Sequence, residues 1–236
     1  MISRNRYEGF LLLLALSGCA TPGASKLDYS PPKVPDVHNN EVSIDESFDV
    51  VWDRLVGRLA TGFFVINNID KASRLINVSF SSDSPENYVD CGESTRKFSY
   101  QKEEKTYVYN VAQDSAYKVA STWGPNNNLP NIAEVSRDAS LEGRINVYVA
   151  PQSSNETKVS ANVKYILRVT TTGTGVAFNA FGTPVQQFTV PSSSSDVSFT
   201  TGESGSKNWG TGGSGDSVTC RAKGTLEKSI LDMARL

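Results

Sequence analysis

One histidine in 236 residues, His38, leaves almost no chemistry that depends on an imidazole. A Ser-His-Asp or Cys-His site needs that ring to take the nucleophile's proton, and His38 stands in a proline-bearing stretch with no apolar pattern. The same scarcity excludes histidine-based zinc sites, and neither a CxxC spacing nor an Asp-rich loop of EF-hand spacing occurs. No metal and no cofactor is expected. Long apolar runs are missing too: Phe10 to Leu16 is about 7 residues, against the roughly 20 that a membrane-crossing helix needs. Neither sign of charge dominates, since 23 Lys and Arg stand against 25 Asp and Glu for a net charge of -2. Without a basic stripe the chain has no general attraction for nucleic acid or anionic lipid, and no nucleic-acid partner is expected.

What is present begins at the amino terminus. Arg4 and Arg6 precede the apolar run, and Ser17, Gly18 and Cys19 follow it, the layout of a secretory signal peptide. Leu16-Ser17-Gly18-Cys19 resembles the lipobox of bacterial lipoproteins, in which an apolar and two small residues precede the lipidated cysteine. The resemblance implies that residues 1–18 are removed and that Cys19 carries a diacylglyceryl group and further fatty acyl chains such as palmitate. Each buried methylene adds about 0.8 kcal/mol and a single chain binds only marginally, so several chains make the anchor effectively permanent. Ala20 stands where the family's inner-membrane retention signal has Asp. The resemblance therefore implies the periplasmic face of an outer membrane, or the one membrane of an organism that has only one. A cysteine buried behind an apolar helix is the alternative reading.

Such a signal sends the chain to an oxidising compartment, where Cys91 and Cys220 are expected to form a disulfide, with two free thiols as the alternative. Residues 19–40 read as the lipidated cysteine and a flexible linker, because Pro22, Pro31, Pro32 and Pro35 punctuate a stretch poor in apolar side chains. At roughly 3.3 Å per residue that linker would reach about 65 Å. Residues 41–236 read as a single α+β periplasmic domain. Phe48, Val51, Trp52, Leu55 and Leu59 fall on one face of a helix that Gly62 stops. Phe63 to Ile66 and Leu75 to Phe80 read as strands joined by a turn holding Asn67, Asn68 and Asp70, and Ile76, Val78 and Phe80 give the second one dry face. Glu134 to Leu141 reads as a further strand. Arg144 to Val149 is expected to pair with Lys158 to Thr170 across Pro151, Ser153, Ser154 and Asn155. Thr225 is placed to cap a last helix with Leu226, Ile230 and Met233 on one face.

The expected fold class is α+β, an antiparallel sheet packed on an N-terminal helix and a C-terminal helix. In this order of elements it resembles the helix-grip fold of lipid-transfer domains and of a lipoprotein subunit of the outer-membrane β-barrel assembly machine. That resemblance implies a sheet wrapped on helices, and with it a cavity for an apolar ligand. At about 171–217 the composition turns to Gly, Ser and Thr, with Phe178, Phe181, Phe188, Phe199 and Trp209 at irregular intervals. The stretch reads as an insertion, a long hairpin or a partly disordered loop. Its aromatic residues either fold back on the sheet or are offered to a partner protein or membrane.

Catalytic motifs are weak by their own physical requirements. Gly210, Gly212 and Gly215 match GxGxxG, yet no strand-to-helix turn surrounds them to bring backbone N–H groups to a pyrophosphate. Ser115 with Lys118, and Ser204 with Lys207, match SxxK without SDN or KTG companions. Glu103 and Glu104 are neighbours, which a strand turns to opposite faces, and Asp83, Asp90 and Glu93 read as a solvated loop. The expectation is a non-enzymatic, membrane-anchored scaffold or accessory subunit of an envelope assembly or transport complex. A binding protein for a lipid or other apolar ligand is the alternative, and a histidine-free cell-wall hydrolase a third.

Overall fold

The structure is a computed structural model that describes residues 24–33, 39–121, 131–208 and 217–235. The signal-peptide region, Cys19, His38, Trp209 and the glycines at 210, 212 and 215 lie outside the described residues. In chain order the elements are β1 (Ala24–Ser30), β2 (Glu41–Ile44), α1 (Phe48–Thr61), β3 (Val65–Asp70) and β4 (Leu75–Ser82). There follow β5 (Val89–Asp90), β6 (Glu93–Tyr100), β7 (Glu103–Asn110), β8 (Ser115–Ser121), β9 (Asn131–Ser153) and β10 (Glu156–Phe178). The chain closes with β11 (Pro184–Thr200), β12 (Ser204–Asn208), β13 (Ser217–Ala222) and α2 (Thr225–Arg235). This is an α+β arrangement in which antiparallel strand predominates. No helix of the described residues is long and apolar enough to cross a membrane.

Two strands of 23 residues, β9 and β10, form the spine. They pair antiparallel over their whole length, in the sheet order β11-β10-β9-β4-β3, with β2 also on β10 and β8 also on β9. Side chains alternate across a strand, and β9 keeps that alternation from Ala133 to Val149, with odd-numbered residues buried and the others turned toward solvent. One dry face therefore runs along the spine.

The two helices cover one end of that face. Val51, Trp52, Leu55 and Leu59 of α1 join Leu226 and Ile230 of α2 in one core with the inward residues of β4, β9 and β10. Fully burying a side chain of this kind stabilises by about 1.5–3 kcal/mol, so the seam decides where the helices sit. Arg54 ties them together, pairing with the Glu46 carboxylate and donating to the Ala234 carbonyl at 2.9 Å. The second helix begins differently from expectation. Gly224, at φ +74°, presents the carbonyl that accepts the Lys228 N–H, and the Thr225 hydroxyl instead donates to the Asn87 carbonyl at 3.1 Å.

The other end is covered by a small sheet, β1-β6-β7. Here the expectation of an uninterrupted linker over residues 19–40 is corrected, because Ala24–Ser30 pairs along β6 from Ala24↔Ser99 to Ser30↔Glu93. The physical reason is a short alternation. Lys26 and Asp28 form a 2.8 Å ion pair, whereas Leu27 and Tyr29 line an interior cavity.

Two further expectations change. The strands expected at Glu134 to Leu141 and Arg144 to Val149 are one continuous β9, and Asn67, Asn68 and Asp70 belong to β3. From 171 to 208 the chain forms the end of β10, all of β11 and β12, the long hairpin among the three readings of this stretch. A third sheet, β12-β13-β5, lies beside these, and the Cys91–Cys220 disulfide ties the segment between β5 and β6 to β13 across 129 positions.

Candidate functional site

The arm formed by β10 and β11 is built by a bulge. From Tyr165↔Phe199 to Thr171↔Ser193 the two strands stay in step, and then Gly173 pairs with Val190, so β11 carries one extra residue around Pro191 and Ser192. A bulge of this kind shifts every later side chain to the other face. It turns Phe188 and Val190 toward the protein and leaves Gln187 and Thr189 exposed. Phe188 lies across Gly175, where a Cβ would displace its ring.

The turn at the end of the arm is tightly held. The Asn179 side-chain oxygen accepts N–H bonds from Phe181 and Thr183 at 2.9 Å each, and Gly182, at φ +76°, donates back to the Asn179 carbonyl. The five aromatic residues singled out from sequence thus separate. Phe199 is buried and stacked on Tyr165 at 5.3 Å, and Phe178 rests against Tyr100 at 5.2 Å. Phe181 stands 93% exposed, and Trp209 lies outside the described residues.

The outer edge of β11 is the second feature. Among the described residues β11 hydrogen-bonds to β10 along one side, and β12 packs near its C-terminal end. No charged side chain occurs from Val169 to Ser195. Exposed edges are templates for strand addition, and lysine is a common device that blunts them. This edge has none, although Pro184 and Pro191 interrupt its donors.

Between the small sheet and the spine lies a cavity of about 140 Å³, with Arg96, Arg137, Ser94, Tyr29, Thr171 and Ser195 in its wall. The Arg96 guanidinium sits 4.3 Å from the Tyr117 ring centre, Tyr117 stacks on Tyr109 at 5.6 Å, and Arg137 sits 4.9 Å from Tyr109. Arg137 also donates to the carbonyls of Val111 and Gln113. Burial pulls its guanidinium below the ordinary value, with the nearby Arg96 charge adding to the effect, and burial pushes the Tyr117 phenol up. The cluster holds the two sheets together through cation–π and carbonyl contacts alongside an apolar cluster of Tyr117, Ala133 and Val135. Sequence reasoning passed over it, because Arg96, Tyr109, Tyr117 and Arg137 come from four strands and no local spacing links them.

The residues weighed for catalysis do not converge. Lys118 pairs with Glu103 at 2.8 Å, whereas the Ser115 hydroxyl accepts from Arg137. Ser204 sits opposite Arg221 and Lys207 opposite Val218 in the β12–β13 ladder. Asp90 accepts the Gly92 N–H. Among the described residues no group of three or more His, Cys, Asp or Glu could hold a metal ion. The larger cavities, of about 750 and 660 Å³, are clefts at the surface: one near the arm between Tyr100, Lys118 and Phe188, the other over Phe63, Val65 and Asn77. Compared with known proteins, the chain matches no family profile, no curated protein and no solved structure.

Proposed function

We propose that this chain is a lipoprotein precursor whose mature form is held by acyl chains on Cys19 at the periplasmic face of an outer membrane. There it acts as a non-enzymatic scaffold or accessory subunit of an envelope assembly or transport complex. The observation that carries the docking role is the outer edge of β11, a strand that among the described residues hydrogen-bonds only to β10 and has no charged side chain from Pro184 to Ser195. Its occupant is an extended segment of an envelope protein. Main-chain hydrogen bonds give such an addition its affinity, and the outward Gln187 and Thr189 set its side-chain preference. For the helix-bearing end we infer a helix-grip arrangement, supported by α1 and α2 packing on each other and on β9 and β10.

Lysine at the outward positions provides the test. The double variant Gln187→Lys, Thr189→Lys should fold with unchanged thermal stability, because both side chains are exposed, and should lose co-purifying envelope protein. Retention of the same co-purified protein by the folded variant would remove the edge as the docking line.

A further inference from the structure

We infer that the turn between β10 and β11 is a second membrane contact, in which Phe181, with Val185 beside it, enters the lipid surface that holds the Cys19 acyl chains. The inference rests on the lipoprotein reading above and adds an orientation to it.

Three observations bring the anchor and the turn to the same end of the molecule. Ala24 pairs with Ser99, one residue from Tyr100, and the Tyr100 ring touches Phe178 at the end of the arm. The β6–β7 turn reaches the arm's own turn as well, since a Cβ on Gly182 would meet the Gln101 amide at 2.8 Å. Direction agrees with position. β6 runs toward the arm's turn and β1 runs antiparallel to it, so the chain enters β1 from that side. Only five residue steps separate Cys19 from Ala24, at most about 18 Å of chain. A lipid on Cys19 therefore keeps Ala24, and the turn beside it, close to the bilayer.

The chemistry of the turn suits that position. Phe181 is 93% exposed and Val185 is 51% exposed, although the turn that presents Phe181 is fixed by the Asn179 bonds. A fixed turn loses little conformational freedom when it inserts. No charged residue occurs from Val169 to Ser195, so insertion dehydrates no ion. Aromatic rings are favoured at the membrane–water interface, and the exposed Lys102 of the adjoining β6–β7 turn stands ready for lipid head groups. The β9–β10 turn at Ser154 lies at the far end of 23-residue strands, at most about 75 Å along β10. The outer edge of β11 then starts at the membrane and runs away from it.

The test uses the full acylated chain in vesicles of phosphatidylethanolamine and phosphatidylglycerol. Cys19 is blocked by lipid and Cys91 by Cys220, so Ala180→Cys offers one thiol for an environment-sensitive fluorophore while keeping Phe181. Flotation and acyl-group mass spectrometry report the anchor independently. The expected result is a blue-shifted, brighter label at position 180 that is quenched by spin-labelled lipid. The same label on Ser154→Cys should stay in water, and adding Phe181→Asp should return the label at 180 to water. An acylated, floating protein whose label at 180 stays in water overturns the membrane contact and leaves the lipoprotein reading intact. A chain that neither carries acyl groups nor floats overturns both.

Discussion

Tyr165 donates a 2.7 Å hydrogen bond to the carboxylate of Glu227, joining the middle of β10 to the first turn of α2. The Thr201 hydroxyl donates to the other oxygen at 2.7 Å, and Glu227 is only 1% exposed. Leaving such a buried acceptor short of a donor costs about 1–3 kcal/mol. Tyr165→Phe should therefore lower the unfolding free energy by about 2 kcal/mol in urea titrations, with circular dichroism of the native state unchanged.

The same tyrosine sets the alkaline limit of stability. Burial, followed by the Glu227 charge, pushes the Tyr165 phenol far above its ordinary value of 10.0, and burial also raises Tyr29 and Tyr117. The folded protein then keeps protons that the unfolded chain loses, so this contribution is fully present below about pH 10 and falls as pH rises beyond it. Urea midpoints should be flat from neutral pH up to that point and then decline. The decline should be shallower in Tyr165→Phe, and an identical slope in the two proteins would show that Tyr165 is not its source.

Removing the disulfide should destabilise the fold by about 2–5 kcal/mol. The bond closes a loop of 129 positions, and Tyr29, whose hydroxyl lies 3.1 Å from the Cys91 carbonyl oxygen, brings β1 to the same place. The double variant Cys91→Ser, Cys220→Ser should show this in thermal melts, and reductant should shift the native protein and leave the variant unmoved.

Arg137 should prove structural and particular to arginine. Arg137→Lys keeps a charge but cannot spread donors to Val111 and Gln113 while lying over Tyr109. Both Arg137→Lys and Arg137→Met should lose about 1–3 kcal/mol by chemical denaturation, the buried Val111 carbonyl being left without its donor. Full stability in the lysine variant would contradict the stacking account.

Where a side-chain rhythm exists, the fold is legible in the sequence. Phe48, Val51, Trp52, Leu55 and Leu59 announce α1, and Ile76, Val78 and Phe80 announce β4 with its dry face. The helix-bearing core and the antiparallel class follow from those residues. β1 was hidden because Leu27 and Tyr29 are its only apolar inward residues and prolines follow them. β9 read as two strands because the inward position between them is Gly143, which has no side chain to continue the apolar alternation. β11 was hidden for another reason: Ser193 to Ser195 are held by main-chain pairing, which leaves no hydrophobic pattern. The bulge at Pro191 and Ser192 decided which phenylalanines point inward, and its position is a property of pairing across strands. The disulfide was legible from the compartment implied by the signal sequence. The outer edge of β11 was not, because which strands pair is decided between distant segments and leaves no local spacing.

The anchor itself predicts a mass. Protein extracted from membranes should lack residues 1–18 and carry acyl groups on Cys19, and Cys19→Ser should abolish both the acyl mass and membrane retention. An unmodified 236-residue chain in the membrane fraction would contradict the lipobox reading.

The docking claim is tested most directly by a photo-crosslinking amino acid at Gln187, on the outer edge of β11, in the acylated protein within its native envelope. The account predicts a covalent adduct with one other envelope protein, identified by mass spectrometry. The adduct should be lost when Thr189→Lys is added and absent when the crosslinker stands at Ser154. Recovery of the monomer alone, or of adducts only between copies of this chain, would contradict it.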